Sequence, residues 1–209
     1  MLDLNNIKTI IFDFGGVIIN INPQKTINAL HHLGILHAEK LMSENGNQSM
    51  LQRYELGLIS DNEFINYIKQ HCTPDTHPVD IIQAWNAMLL DIPMSRIVLL
   101  NHLSEEYNLL LLSNTNHLHY LSYSKNFERT TKGKKWNDVF KHCYFSFEIH
   151  KRKPSIDIYK HVLQKEMIKP EETFFIDDSL ENIETAMMLG IKTHWLQGEL
   201  TDLFKKSTV

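Results

Sequence analysis

Five short apolar runs, each followed directly by polar or glycine residues, dominate the hydrophobic pattern of this chain. A short apolar run bounded by turn residues is typical of a strand that is buried on both faces of a parallel sheet. The first run ends at Asp13, and the two glycines that follow allow the backbone to turn sharply. We therefore predict five strands, over residues 10–12, 109–112, 143–145, 173–176 and 192–196.

Apolar residues at helical spacing fill the long interval between the first and the second run. Ser60 and Glu63 have the spacing of a capping box, and Pro23 and Pro78 stand where helices begin. Because no strand signal interrupts this interval, we predict an all-helical insert, a cap domain, over residues 20–96. The predicted helices cover 24–37 with a break at Gly34, 39–54 with a break at Gly46, and stretches that begin at Ser60 and after Pro78.

Strands and helices alternate after this insert. Helical patterns over 94–106, 156–165 and 181–189 separate the later apolar runs, and Gly190 closes the last helix. Such alternation is the signature of a doubly wound parallel sheet with right-handed crossovers. The predicted fold is therefore α/β, with a Rossmann-like core over 1–19 and 97–209 and the helical cap inserted into it.

Composition and charge narrow the classes of partner. Apolar residues make up 43% and charged residues 22% of the 209, which is usual for a globular protein. A net charge of −4 provides no basic field for nucleic acid, and no apolar run is long enough to cross a membrane. Cys72 and Cys143 have no metal-site spacing, nor do the histidines, and the basic loop 132–135 is interpreted as solvated. We expect a cytoplasmic monomer or weak homodimer that binds a small molecule.

Polar side chains follow four of the five predicted strands, where the carboxyl ends of parallel strands form one crevice. Acids at two strand ends suit a hard divalent cation such as Mg²⁺, and hydroxyl and amide groups suit phosphate oxygens. A lysine neutralises phosphate charge. The set therefore predicts a phosphoryl-transfer site. Its members are Asp13, Ser113 with Asn114, Lys153, and the pair Asp177 and Asp178.

Each of these residues also has an ordinary structural interpretation. Ser113 can cap the helix that follows it, Lys153 can lie in a surface loop, and Asp13 with its glycines can form a simple turn. The adjacent acids Asp177 and Asp178 are harder to explain in this way, because they repel each other unless a cation or donors offset their charge. The combination favours a functional site.

The same four polar clusters, in this order, resemble the motifs of the haloacid dehalogenase (HAD) superfamily of hydrolases. The matching residues are 13–17, 112–116, 153–154 and 176–179, with Asn182, Ala186 and Gly190 after them. The resemblance covers the whole chain. Within the superfamily, residues 113–116 (Ser-Asn-Thr-Asn) and 54–60 are most similar to the branch that contains bacterial α-glucose-1-phosphate phosphatases.

The resemblance implies a magnesium-dependent phosphatase acting on a small phosphorylated metabolite, such as a sugar phosphate. Asp13 would be the nucleophile that forms an aspartyl-phosphate. Ser113 and the amide of Asn114 would bind the phosphate, and Lys153 would balance its charge. The cap would close over the substrate and exclude water.

The resemblance also implies the set of Mg²⁺ ligands. Asp13 and Asp178 would be the main carboxylate ligands, the backbone carbonyl of Gly15 would add a third oxygen, and Asp177 would be an auxiliary ligand.

Gly15 departs from the pattern of most phosphatases in this superfamily, which have an aspartate there as general acid and base. Three explanations remain open. The leaving group can be good enough to need little protonation, as in a sugar 1-phosphate. Glu55 of the cap, or a water held by Asn20 or Asn22, can supply the proton. Alternatively, the protein turns over slowly or not at all.

Two other functions are compatible with the sequence. A dehalogenase of the same fold uses the aspartate to attack carbon without a metal, but the pair Asp177 and Asp178 argues against it. A catalytically weak protein that senses a phosphorylated metabolite is the second, and Gly15 is the residue that supports it.

Overall fold

A computed structural model describes residues 2–43 and 49–205 of the chain. Its centre is a sheet of five parallel strands in the order β3-β2-β1-β4-β5, which confirms the predicted fold class. All five predicted strands are present, within a few residues of the predicted bounds. They are β1 Thr9–Phe12, β2 Asn108–Ser113, β3 His142–Phe145, β4 Thr173–Asp177 and β5 Lys192–Trp195.

Helices account for most of the remaining described residues, together with 3₁₀ turns at Trp136–Asp138 and Pro170–Glu172. Among the described residues, none of the helices combines the length and apolar character needed to cross a bilayer. In chain order the helices are α1 Pro23–His32, α2 Ala38–Ser43, α3 Met50–Glu55, α4 Asp61–Lys69, α5 Pro78–Asn86, α6 Met94–Leu103, α7 His117–Thr130, α8 Ser146–Ile149, α9 Ile156–Glu166, α10 Leu180–Met187 and α11 Leu200–Leu203.

β1 is the middle strand, and its two neighbours set the positions of the polar residues at the strand ends. Phe12 pairs with Leu111 on one side and with Ile176 on the other. The register therefore places Asp13 beside Asp177 and brings the end of β2, at Ser113, to the same edge of the sheet. The two faces of the sheet are covered by separate apolar clusters, as expected for a parallel sheet packed between helices.

Helices α1 to α5 pack around an apolar cluster of their own, which agrees with the predicted helical insert. Phe64 and Trp85 lie in this cluster, and Leu118 of α7 joins it from the core side. Ile21 and Leu89, which form an isolated antiparallel bridge, pack instead against the cluster of the sheet. The boundaries at 20 and 96 stay a prediction.

Several local predictions can be compared with the helix ends. The capping box is confirmed, because Ser60 and Glu63 exchange hydrogen bonds at the start of α4. α1 ends at His32, before Gly34, which has a positive φ of 95°. α10 ends at Met187 rather than at residue 189, and Gly190 follows with a φ of 81°. The predicted break at Gly46 lies outside the described residues.

Helix α7 was not among the predicted helical patterns; a helix after Ser113 was considered only in the structural interpretation of that residue, and the observed cap is Asn116. Its residues contain many polar and aromatic side chains, whose helix propensity is low. It nevertheless buries Tyr123 and Phe127 against the sheet cluster. α7 begins at the end of the Ser-Asn-Thr-Asn segment, and the side chain of Asn116 caps it by accepting from the backbone N–H of His119.

Candidate active site

Asp13 and Asp177 lie side by side at the carboxyl ends of β1 and β4. The backbone N–H of Asp13 donates to the carbonyl of Ile176 at 2.9 Å, which continues the strand pairing to the first acid. Asp177 is fully buried and Asp13 is nearly so. Two buried carboxylates at adjacent strand ends need a counter-charge.

Lys153 provides this counter-charge from the loop between α8 and α9. Its Nζ donates to Asp13 Oδ1 at 2.5 Å and to Asp177 Oδ2 at 2.7 Å, and only 1% of its side chain is exposed. The ammonium also lies 5.5 Å from the centre of the Phe175 ring. The structure thus brings together the predicted Asp13, Lys153 and Asp177.

Three carboxylates converge at this edge. Oxygens of Asp13, Asp177 and Asp178 lie within 4.8 Å of one another. When all three are ionised, their negative charges and the single positive charge of Lys153 leave a net charge of −2, which a divalent cation would neutralise. An all-oxygen donor set of this kind suits Mg²⁺.

Gly16 leaves the space that Asp178 occupies. Its φ is 75°, and a Cβ built on it would lie 2.1 Å from Oδ2 of Asp178. A side chain at position 16 is therefore incompatible with the observed position of this carboxylate.

Burial and mutual charge shift the pKa values of these groups. Burial raises the pKa of Asp13 to about 7, against the lowering effect of Lys153. Burial and the charge of Asp177 raise the pKa of Asp178. Burial alone would lower the pKa of Lys153, but the two carboxylates that it contacts raise it. Lys153 therefore stays protonated, and bound positive charge favours the ionised carboxylates.

The two members of the acidic pair have different environments. Asp177 is held by the backbone N–H of Ser179 and by the side-chain amide of Asn182, which donates to both of its oxygens at 2.9 and 3.0 Å. Asp178 is an exposed residue, and its backbone carbonyl accepts a hydrogen bond from the Trp195 indole. The sequence motif contained Asn182 but did not indicate that it holds Asp177.

Asn114 fixes the loop that carries Lys153. Its side-chain amide donates to the carbonyl of Lys153 at 2.8 Å, and its side-chain oxygen accepts from the backbone N–H of Lys153 at 2.9 Å. This reciprocal pair joins the end of β2 to the lysine loop. Sequence reasoning assigned only the backbone amide of Asn114 to the site.

Ser113 and Ser146 lie at the ends of β2 and β3, and both are buried. The hydroxyl of Ser146 donates to the carbonyl of Thr115 and accepts from its backbone N–H, both at 2.9 Å. These bonds hold the turn after Ser113 in place, so that β2, β3 and the lysine loop form one connected edge.

At Gly15 the nearest neighbour of a built Cβ is Ile21 Cδ1 at 3.5 Å, an ordinary contact. The side chains considered as replacements for a general acid are engaged elsewhere. Asn20 donates to Asp91 at 3.1 Å, Asn22 caps α1, and Glu55 forms an ion pair with Arg152 at 3.0 Å.

A network that the sequence did not reveal joins the helical cluster to the start of α7. The hydroxyl of Tyr54 donates to Asp61 at 2.6 Å and accepts from the backbone N–H of Leu118, and the other oxygen of Asp61 contacts His117 Nδ1 at 2.8 Å. The Trp85 indole donates to Asn116 at 3.3 Å. Helices α3, α4 and α5 are therefore tied to the segment that follows Ser113.

Comparison with known proteins agrees with this fold. The sequence profile of haloacid dehalogenase-like hydrolases matches residues 7–190. The chain belongs to this family, and it is a hydrolase.

Among characterised relatives, the chain is 30% identical over 187 residues to a D-ribitol-5-phosphate phosphatase of Bacteroides thetaiotaomicron, covering 90% of each protein. A HAD family enzyme of B. thetaiotaomicron, solved as a complex with magnesium and inorganic phosphate, superposes with a TM-score of 0.87 at 35% identity, over 95% of this chain and 100% of that one. A HAD-like hydrolase from Porphyromonas gingivalis gives a TM-score of 0.81 at 29% identity over 90% of both chains.

Proposed function

We propose that this protein is a magnesium-dependent phosphatase that hydrolyses a small phosphorylated sugar or sugar alcohol through an aspartyl-phosphate. The observation that carries the proposal is the position of Lys153, whose ammonium bridges Asp13 and Asp177 beside the third carboxylate, Asp178. This arrangement provides a buried nucleophile, a fixed positive charge and a cation site within one small volume.

In this proposal Asp13, Asp178 and the carbonyl of Gly15 hold Mg²⁺, with Asp177 as an auxiliary ligand. The cation, when bound, neutralises phosphate charge at the reacting centre. Ser113 and the amide of Asn114 bind phosphate oxygens, and Lys153 adds a positive charge. Asn114 and Asn182 are positioning residues, because they hold Lys153 and Asp177 respectively.

Asp13 supplies the oxygen that attacks phosphorus. A bond forms between a carboxylate oxygen and phosphorus while the ester P–O bond breaks, and the departing oxygen takes a proton to leave as an alcohol. Water then attacks the phosphorus of the aspartyl-phosphate, which releases phosphate and regenerates the carboxylate. The charged groups and their fixed placement supply most of the catalytic effect, as is usual for phosphoryl transfer.

The relatives guide the choice of substrate. The characterised relative acts on D-ribitol 5-phosphate, and the similar structure from the same organism binds magnesium and inorganic phosphate. A phosphorylated sugar alcohol is therefore our first candidate. The expected similarity to the α-glucose-1-phosphate phosphatase branch is not confirmed, and a sugar 1-phosphate is the second candidate.

The helical region over residues 20–96 serves in this proposal as the cap that covers the substrate. Two features support it. Helices α1 to α5 have their own apolar cluster, and hydrogen bonds of the Tyr54 and Trp85 side chains connect that cluster to the start of α7. A cover of this kind excludes water from the reacting phosphate.

Phosphate release tests the proposal. The substrates are ribitol 5-phosphate, sugar 1- and 6-phosphates and p-nitrophenyl phosphate, with Mg²⁺ and with EDTA. We expect release that requires Mg²⁺ and that Asp13→Asn abolishes. Phosphate release that survives EDTA would contradict the Mg²⁺ requirement, and metal-independent halide release from a haloacid would support the dehalogenase alternative. A folded protein that binds inorganic phosphate but hydrolyses none of the substrates would support the sensor alternative.

A further inference from the structure

Two buried polar atoms without a hydrogen-bond partner belong to Gln52 of α3 and to Arg152 of the lysine loop. Among the described side chains, the buried and unpaired polar atoms are Gln52 Oε1, Arg152 Nε and Tyr123 OH. Such groups are uncommon, because a polar atom that is removed from water without a hydrogen-bond partner destabilises the fold. Tyr123 lies in the sheet cluster, away from the other two.

Glu55 connects the first two of these side chains. Its carboxylate forms an ion pair with Arg152 Nη2 at 3.0 Å. Gln52 and Glu55 are three residues apart in α3, so they lie on the same face of the helix. This side of α3 therefore carries the unpaired acceptor of Gln52 and the carboxylate of Glu55, and the guanidinium paired with that carboxylate has the unpaired N–H donor.

This side of α3 borders the catalytic loop. Arg152 directly precedes Lys153, whose ammonium contacts Asp13. Two further contacts join the turn after α3 to the segment before Arg152. The His150 ring donates to the carbonyl of Leu56 at 2.8 Å, and Gly57 packs so closely on the backbone of Phe147 that a Cβ would lie 2.1 Å from its carbonyl oxygen.

We propose that Gln52, Glu55 and Arg152 form a subsite for the hydroxyl groups of the substrate's carbon chain. A hydroxyl accepts from Arg152 Nε–H and donates to Gln52 Oε1, so a hydroxylated chain satisfies both unpaired atoms. The positive charge of Arg152 is already balanced by Glu55, so the subsite favours an uncharged hydroxylated chain over a second phosphate or a carboxylate. This inference rests on the proposed function, because it concerns the same site.

Binding without turnover tests the subsite. In the Asp13→Asn background with Mg²⁺ present, calorimetry gives the dissociation constants of ribitol 5-phosphate and of inorganic phosphate. The variants are Arg152→Lys, which keeps the charge but removes Nε–H, and Gln52→Leu, which removes the acceptor at similar volume. The matched controls are Arg53→Lys and Gln83→Leu, because both residues are exposed on cap helices.

We expect the parent to bind ribitol 5-phosphate at least tenfold more tightly than inorganic phosphate. Each subsite variant should weaken ribitol 5-phosphate binding by tenfold or more, change phosphate binding by less than twofold, and melt within a few degrees of the parent. The control variants should leave both constants unchanged.

Three results would overturn the inference. In the first, the parent binds ribitol 5-phosphate no more tightly than inorganic phosphate. In the second, the subsite variants weaken the binding of both ligands equally, and in the third they weaken the binding of neither. Equal loss would show that Arg152 supports the lysine loop and does not contact the substrate. Turnover by the unmodified enzyme is measured separately, so failure of the proposed function and failure of the subsite give different results.

Discussion

Gly16 makes the clearest prediction at the scale of single residues. An alanine at this position would have to adopt a left-handed backbone conformation, and its Cβ would overlap the carboxylate of Asp178. We expect Gly16→Ala to raise the Mg²⁺ concentration for half-maximal phosphatase activity at least tenfold, because Asp178 must move away. Activity measured across a Mg²⁺ titration provides the test.

Gly133 is the matched control for this substitution. It also has a positive φ, of 97°, but nothing lies within 4 Å of a Cβ built there. Both substitutions should destabilise the fold by about 1–2 kcal/mol, the usual cost of a left-handed conformation in a residue with a side chain. Only Gly16→Ala should change the Mg²⁺ requirement. Equal effects of the two on Mg²⁺ would contradict the explanation.

Gly15 makes a different prediction, because a side chain fits there. An aspartate at this position restores the general acid that most related phosphatases have, and proton transfer contributes about 10²- to 10⁴-fold to rate. We expect Gly15→Asp to increase hydrolysis of sugar 6-phosphates at least tenfold, since their alkoxide leaving group needs a proton. Hydrolysis of sugar 1-phosphates should change little. No change with either substrate would rule out the leaving-group explanation.

The residues that sequence reasoning identified are those whose chemistry is specific in itself. Asp13, Lys153 and the pair Asp177 and Asp178 stood out as charges at strand ends, and the structure places them in contact or within a few ångströms. The roles of the asparagines could not be read in the same way. Asn114 acts through the backbone of a residue 39 positions away, and no local pattern encodes such a contact.

At the scale of elements, the capping box of α4 can be tested directly. Ser60→Ala removes the acceptor for the backbone N–H of Glu63 and the hydroxyl that donates to the Glu63 carboxylate. We expect a loss of about 1 kcal/mol in the free energy of unfolding, with catalysis unchanged. Urea denaturation gives the first quantity and phosphate release the second.

Ser49→Ala is the comparison for this variant. Ser49 also caps a helix, but it accepts a single bond, from Gln52 N–H, and has no reciprocal glutamate. Ser49→Ala should therefore lower the free energy of unfolding by less than Ser60→Ala does. A larger cost at Ser49 would show that the reciprocal bond adds nothing to the cap of α4.

Helix α7 shows why a long helix can escape prediction from the sequence. The other long helices carry an apolar stripe at helical spacing, whereas α7 buries mainly aromatic and polar side chains. Its contacts are with distant residues. The Tyr123 ring lies 4.5 Å from Phe14, and the Phe127 ring stacks on Trp136 at 3.8 Å. Tertiary packing of this kind overrides weak local propensity and is not visible in a single sequence.

At the scale of the whole molecule, His119 couples stability to pH. Burial lowers its pKa to about 3, from an ordinary value of 6.5. The ring stacks on Trp85 and contacts Asn86 of the helical cluster, so it is neutral in the folded protein. Below pH 6.5 the unfolded chain binds a proton that the folded chain does not. Stability from this residue is therefore present at neutral pH and is lost as pH falls towards 3.

We expect His119 to account for about 2 kcal/mol of the stability lost between pH 7 and pH 5. The measurement is the free energy of unfolding at both pH values for the unmodified protein and for His119→Gln. The free energy of unfolding of His119→Gln should fall by correspondingly less between pH 7 and pH 5. His102→Gln serves as the control, because His102 is largely exposed. The same pH dependence in all three proteins would contradict the assignment.

The overall architecture followed from the sequence because its signals are repeated. Alternating strands and helices with polar residues at successive strand ends define a parallel sheet and its functional edge. The sequence at the boundary between the helical insert and the core has no such repeated signal. Ile21 and Leu89 look like any other apolar residues, yet they pack with the sheet rather than with the helices, and only the three-dimensional structure assigns them.

The central place of β1 in the sheet has a consequence for the order of events during protein synthesis. Of the five strands, β1 is translated first, but its hydrogen-bonding neighbours, β2 and β4, begin only at residues 108 and 173. Asp13 and Asp177 likewise share the ammonium of Lys153 only after residue 177 has been translated. A nascent chain that stops before β4 has no native partner for one edge of its first strand. The first of the five strands in chain order thus completes its native contacts only when the fourth has been made.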